Sequence, residues 1–149
     1  MRDKGVVLDK IKAFGICLYK IEQNSTKVLL CKSVHSINRW GFLKGVALEH
    51  ETSEQTALRE FEEESGIQVE KNSLEKFFLQ SNDLKDIGIY LVNYKNVIGG
   101  KYYFLEDNLY EKFLCSENSE VKFFDINHLP LIKKKQMILT QEIVHLLQR

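Results

Sequence analysis

Hydrophobic and polar positions along this chain of 149 residues fall into short runs that are typical of β-strands. Residues 11–19 and 27–32 are two apolar runs joined by the polar turn EQNST, a pattern that predicts a β-hairpin. Further strand-like runs cover residues 74–79, 87–94, 101–105 and 121–125. Because no linker or internal repeat separates these runs, the pattern predicts one domain that spans residues 1–149.

Two segments have the periodicity of amphipathic helices instead. Thr52 and Gln55 form a capping-box pair that predicts the start of the first helix, and Gly66 predicts its end as a left-handed cap. Its apolar stripe consists of Ala57, Leu58 and Phe61. The second helix is predicted from Leu131 to Leu147. The chain therefore combines a sheet with two helices.

The first helix carries three carboxylates, Glu60, Glu63 and Glu64, at helical spacing on one face. Like charges at this spacing cost a bare helix roughly 0.2–0.5 kcal/mol per pair. Arg59 is expected to neutralise only one of them, whereas hard divalent cations would satisfy the whole cluster. Upstream, Gly45 lacks a side chain, so its carbonyl oxygen can approach such an ion closely. A solvated acidic face is the alternative reading of the same residues.

Residues 45–67, GVALEHETSEQTALREFEEESGI, resemble the signature of the Nudix hydrolases at every defined position. The resemblance implies an α/β fold in which a mixed β-sheet is sandwiched between α-helices (α/β/α). It also implies an enzyme that uses Mg²⁺ or Mn²⁺ to hydrolyse a nucleoside diphosphate linked to another moiety. The signature itself would form a loop, a helix and a loop.

The resemblance also implies roles for single residues. Glu63 and Glu64 would be metal ligands, together with the carbonyl oxygen of Gly45. Glu60 would be a catalytic base or an additional ligand. Many members of the family add a carboxylate from a late loop, and here Glu117, six residues before an aromatic that starts the last strand, ranks ahead of Glu120.

Arg59 would pair with Glu51 and hold the helix in register with the loop before it, so its implied role is orientation. The approach to the signature, RWGFLKG, is similar to that of the diadenosine tetraphosphate hydrolase branch, although Leu43 stands where that branch has proline. Lys44 is the candidate for contacting a phosphate. Candidates for stacking on a base are Trp40, Phe42, Tyr90, Tyr102 and Tyr103.

Composition narrows the substrate and the compartment. Lysine plus arginine equals aspartate plus glutamate, at 21 each, which favours a small nucleotide over RNA as the partner. The run Lys133 to Lys135 is expected to be a solvated face. No apolar run is long enough to span a membrane, and MRDKGVVLDK lacks the apolar part of a secretion signal, so a cytoplasmic protein is expected.

Three functions stay open at this stage. The first is a hydrolase of dinucleoside polyphosphates or nucleoside triphosphates, and the second removes pyrophosphate from the 5′ end of RNA. A catalytically silent nucleotide-binding module is the third. A basic stripe beside the metal residues would favour RNA, whereas a closed aromatic slot would favour the small nucleotide. The sequence leaves the oligomeric state open.

Overall fold

The computed structural model describes residues 10–148, in which eight β-strands form one mixed sheet. The strands are β1 Ile11–Glu22, β2 Ser25–Ser33, β3 Leu43–Val46, β4 Phe77–Ser81, β5 Lys85–Asn93, β6 Phe104–Leu105, β7 Asn108–Leu109 and β8 Asn118–Asp125. Their order across the sheet is β4-β5-β1-β2-β8-β7-β6, with β3 added to β1. Of the described pairs, only β1 and β5 run parallel.

Strand β1 changes partner along its length, and this splits the sheet. Its second half pairs with β2 as far as the predicted hairpin turn, whereas its first half pairs with β3, with Phe14 opposite Gly45. On its other edge, β2 pairs with β8 from Lys27 to Ser33. A cleft opens between β2 and β3 as a result. Strand β3 was not predicted, because four residues that pair with a distant strand leave no periodic pattern of their own.

Two helices cover the two faces of the sheet. Helix α1 (Ser53–Ser65) buries Phe61 in a core with Ile16, and helix α2 (Met137–Leu147) buries Ile143 in a second core with Cys17. Ile16 and Cys17 are adjacent in β1 and so point to opposite faces. The predicted α/β/α sandwich is therefore confirmed. Within residues 10–148, neither helix combines the length and the apolar character that crossing a bilayer would require.

The predicted ends of α1 are confirmed. The Gln55 N–H donates to the Thr52 hydroxyl at 3.1 Å, and the Thr52 N–H donates to the Gln55 side-chain oxygen at 2.9 Å. Gly66 adopts a φ of 76°, and its N–H donates to the carbonyl of Glu62 at 2.7 Å. These bonds satisfy backbone groups that would otherwise be orphaned at each end of the helix.

Three predicted boundaries are wrong. Helix α2 begins at Met137 rather than Leu131, because Ile132 forms a β-bridge with Trp40 and residues 134–136 form a 3₁₀ turn. Residues 101–105 contribute only Phe104–Leu105 to the sheet, since a 3₁₀ turn occupies residues 100–102. The strand expected at 74–79 lies at 77–81 instead.

Candidate active site

A cavity of about 300 Å³ lies beside the cleft between β2 and β3. Several residues singled out from the sequence line it: Phe42, Lys44, Gly45, Glu60, Glu64 and Glu117. Glu60 and Glu64 come from α1, and Lys44 and Gly45 come from β3. The split of the sheet thus brings the signature helix, the strand before it and the late loop to one place.

Helix α1 packs tightly against β3 at Gly45. A β-carbon at this position would overlap the carboxylate of Glu60, which lies directly against the glycine. The missing side chain therefore leaves room for the Glu60 carboxylate to lie against the strand. The same contact sets the position of Glu60 in the cavity. The metal-binding role expected for the carbonyl of Gly45 stays a prediction.

Glu64 is a largely buried carboxylate. Its pKa is raised to about 7, mainly by burial and also by the charges of Glu60 and Glu117, while Asn118 and Lys44 act in the opposite direction. The Asn118 side-chain N–H donates to Glu64 Oε1 at 3.1 Å and holds the carboxylate in place. A cation bound here would favour the charged form. Magnesium and manganese prefer hard oxygen ligands, so the donors present fit these ions.

Arg59 is the centre of an ion-pair network that fixes the start of α1. Its Nε donates to Glu51 Oε2 at 2.7 Å and its Nη2 to Glu51 Oε1 at 2.9 Å, as the implied pairing requires. Its Nη1 also donates to Glu60 at 2.9 Å and to Glu63 at 3.0 Å. Arg59 was expected to pair with only one of Glu60, Glu63 and Glu64, but the planar guanidinium contacts two of them in addition to Glu51, so its single charge is shared.

The network also holds the loop before the helix. The Leu48 N–H and the Thr56 hydroxyl donate to Glu51 Oε1 at 3.0 and 2.7 Å. These contacts, and above all the bond from Arg59, lower the pKa of Glu51 to about 2. Glu51 and Arg59 do not line the cavity, although Arg59 contacts Glu60, which does. The orienting role expected for Arg59 and Glu51 stays a prediction.

Glu63 lies outside the cavity lining. Its side chain is 52% exposed and pairs with Arg59, one helical turn away. Within residues 10–148 no three acidic, histidine or cysteine side chains converge as a ready-made set of ligands. A ligand role for Glu63 therefore requires its carboxylate to leave Arg59 and turn towards Glu60 and Glu64. That role stays a prediction.

The two late candidate carboxylates lie in different places, Glu117 just before β8 and Glu120 within it. Glu117 lines the cavity, whereas Glu120 pairs with Lys32 at 3.1 Å. Asn118, which anchors Glu64, was missed by the sequence analysis although it directly follows Glu117. The only sign of it in the sequence was that it follows Glu117, because the bond from Asn118 to Glu64 joins residues 54 positions apart.

Trp40 and Tyr90 lie in the core. Trp40 is 5% exposed and packs edge-on against Phe124, with ring centroids 4.7 Å apart. Tyr90 is 9% exposed, and its hydroxyl lies 2.7 Å from that of Ser53. Neither ring lines the cavity, so the geometry does not support base stacking by these two residues. Phe42 lines the cavity but is almost fully buried.

Lys44 faces a part of the cavity that the sequence analysis did not foresee. Its pKa is lowered to about 8, mainly by burial and also by the charges of Lys85 and Lys133, while Glu64 acts in the opposite direction. Lys133 and Gln136, from the segment before α2, also line the cavity. Lys133 was expected on a solvated face, and no periodic signal marks Gln136.

Comparison with known proteins identifies the family. A model of the NUDIX domain matches residues 10–145, so the chain belongs to the Nudix family, whose hydrolases act on nucleoside diphosphate derivatives. The prediction of a Nudix-type hydrolase is confirmed at this level. A search of curated proteins finds no match to the chain.

Solved structures share the fold at low sequence identity. A MutT/nudix family protein from Enterococcus faecalis is 19% identical with a TM-score of 0.61 and covers 83% of this chain, which spans 47% of that protein. The C. elegans Ap4A hydrolase in a binary complex is 19% identical with a TM-score of 0.54, and the match covers 78% of this chain and 81% of that protein. The NUDIX domain of Shewanella oneidensis NrtR, complexed with ADP ribose, is 17% identical with a TM-score of 0.61, and the match covers 97% of this chain and 94% of that domain.

Proposed function

We propose that this protein is a metal-dependent pyrophosphohydrolase that cleaves a dinucleoside polyphosphate or a nucleoside triphosphate. One observation carries the proposal. Glu60, Glu64 and Glu117 line the same cavity as Lys44. Such a cavity can hold cations and a phosphate chain side by side. Pyrophosphate hydrolysis requires this combination, because an oxygen nucleophile must approach a polyanion.

Magnesium or manganese is the proposed cofactor, held by Glu60, Glu64 and Glu117, with Glu63 joining after its carboxylate turns from Arg59. The bound ions would neutralise phosphate charge and lower the pKa of a bound water. The raised pKa of Glu64 supports this assignment, since a buried carboxylate between two others gains most from a nearby cation.

The chain's own residues then have distinct roles. Glu60 accepts a proton from the attacking water, and its contact with Gly45 limits where that water can stand. Lys44, which lines the same cavity, binds a phosphate oxygen. Arg59 and Glu51 position α1, so that its carboxylates meet the phosphates in one geometry.

The likeness to the C. elegans Ap4A hydrolase favours a dinucleoside polyphosphate, and the ADP ribose bound to the NrtR domain agrees with a small nucleotide ligand. Triphosphorylated RNA is the second candidate. One observation favours it, namely the two lysines, Lys44 and Lys133, that line the cavity.

The test is a product-resolved screen with magnesium and with manganese, in parallel with Glu64→Gln and with a chelator. The panel contains dinucleoside polyphosphates, nucleoside triphosphates, sugar nucleotides and triphosphorylated RNA. We expect metal-dependent release of a nucleoside monophosphate or diphosphate from the first two classes. Preferred turnover of RNA would select the second candidate, and nucleotide binding without any turnover would identify a silent module and refute the proposal.

A further inference from the structure

The segment before α2 is hydrogen-bonded to residues 39–40, which precede β3. The Trp40 N–H donates to the carbonyl of Leu131, and the Lys133 N–H donates to the carbonyl of Trp40, both at 2.9 Å. Arg39 Nη1 adds a bond to the carbonyl of Ile132 at 2.7 Å. The 3₁₀ turn then reverses the chain, so that Lys133 and Gln136 line the cavity while Lys134 is exposed and outside its lining.

Gln136 has one end of its side-chain amide engaged and the other end free. Its Oε1 accepts the Phe42 N–H at 2.9 Å, which settles the orientation of the amide, and the residue is only 3% exposed. Its Nε2 donates to no atom in residues 10–148, although every fully enclosed side-chain nitrogen and oxygen there has a partner. The Nε2 therefore opens on the cavity, where it can donate to a ligand.

The side chains of the cavity's lysines make no ion-pair contact with a carboxylate of the described residues. Among residues 10–148, neither Lys44 nor Lys133 has a carboxylate within 4.0 Å, whereas Lys20 and Lys27 each pair with Asp107. We call Lys44 and Lys133 the lysine wall and Glu60, Glu64 and Glu117 the carboxylate wall. Two partly buried cations side by side are unfavourable unless an anion joins them.

Charge balance then selects the ligand. Divalent ions would lie between the carboxylate wall and the phosphates nearest to it, so the lysine wall needs the negative charge of a further phosphate. A diphosphate that carries a neutral sugar brings none, whereas a chain of three or more phosphates does. We propose that Lys133 and Gln136 bind an outlying phosphate, one beyond the two nearest the carboxylate wall, of a nucleotide with three or more phosphates in a row. This inference rests on the proposed function.

The test measures binding rather than turnover, with inorganic tripolyphosphate and magnesium as the probe and calorimetry on the whole chain. Lys133→Ala removes the charge. Gln136→Glu keeps an oxygen for the Phe42 N–H but replaces the free donor with a negative charge. Lys134→Ala is the matched control. We expect each of the first two to weaken tripolyphosphate binding about tenfold, the loss typical of one charge-assisted hydrogen bond, and Lys134→Ala to leave it unchanged.

Pyrophosphate is the second probe, because it lacks the outlying phosphate. Its affinity should change by less than about twofold in all three variants. Equal losses for both probes, or wild-type affinity for tripolyphosphate in Lys133→Ala, would overturn the inference. A short triphosphorylated RNA carries the same three phosphates, so it should also bind about tenfold more weakly to Lys133→Ala; unchanged RNA binding in that variant would overturn the inference.

The outcome is separable from that of the proposed function. If the protein hydrolyses no nucleotide but binds tripolyphosphate through Lys133, the proposed function fails and this inference stands. If it hydrolyses nucleotides while Lys133→Ala and Lys134→Ala bind tripolyphosphate equally well, the inference fails and the proposed function stands.

Discussion

The two walls of the cavity differ in how their charge is balanced. The carboxylate wall is tied into the protein, because Glu60 contacts Arg59 and Glu64 accepts a bond from Asn118. The lysine wall has no such partner among the described residues. One wall is thus positioned before any ligand arrives, whereas the other depends on the ligand for its counter-charge. The difference indicates that ions are held by a preformed frame and that the phosphate chain completes the charge balance.

The largest expected effect comes from removing one charge of the carboxylate wall. Glu64→Gln keeps an oxygen for the Asn118 N–H but loses the negative charge, so we expect kcat with magnesium to fall roughly 100-fold or more. Glu62→Gln, on the exposed side of the same helix, is the control and should stay within about twofold. Steady-state product release measures both. A Glu64→Gln enzyme with more than half of the wild-type kcat would contradict the metal assignment.

A second change moves a carboxylate of the carboxylate wall without removing any charged group. Gly45→Ala introduces a β-carbon where the Glu60 carboxylate lies, so that carboxylate must move. We expect activity to fall about tenfold or more, because a small displacement at a reacting centre is costly, but stability to fall by less than about 1 kcal/mol, since the Glu60 carboxylate ends a flexible side chain that can shift. Leu48→Ala, at an exposed position nearby, is the control. Wild-type activity in Gly45→Ala would show that the contact with Glu60 has no role in turnover.

The ion pair that fixes the frame makes a pH-dependent contribution to stability. The pKa of Glu51 is lowered from its usual 4.5 to about 2, so its contribution is present above pH 4.5 and is lost as the pH falls towards 2. We expect Glu51→Gln to cost about 1–3 kcal/mol at pH 7 in urea unfolding, with the difference from wild type shrinking below pH 4.5. Glu49→Gln, which is 88% exposed, is the control. A difference that does not change with pH would contradict this account.

The smallest effect concerns Glu64 in the metal-free protein. Its pKa is raised from 4.5 to about 7, so the stability it contributes is full below pH 4.5 and is lost as the pH rises through 7. In a chelator at pH 8, Glu64→Gln should therefore raise Tm by about 2–4 °C, the shift for about 1 kcal/mol in a domain of this size. Magnesium should raise the Tm of the wild type more than that of the variant. An unchanged or lower Tm in the variant would count against a strained carboxylate.

The sequence predicted the carboxylate wall far better than the lysine wall, for a physical reason. The ends of α1 depend on local bonds between Thr52, Gln55 and Gly66, and helical spacing alone places Glu60 near Glu64. Gln136 reaches the cavity only because Ile132 forms a β-bridge with Trp40 and the chain then turns. Its contact with Phe42 joins residues that lie 94 positions apart. No periodicity encodes such a contact, and the apolar pattern of residues 131–136 fits a helix equally well.

The bridge at Trp40 also bears on when the protein becomes competent during synthesis. Because Lys133 and Gln136 follow β8, a nascent chain that has emerged only through β8 carries the acidic helix but lacks these two residues of the cavity lining. Contacts between distant segments form slowly, because the chain must first lose the entropy of closing a long loop. Ribosome-bound chains arrested just before and just after residue 136 should accordingly differ in their ability to retain a phosphate chain.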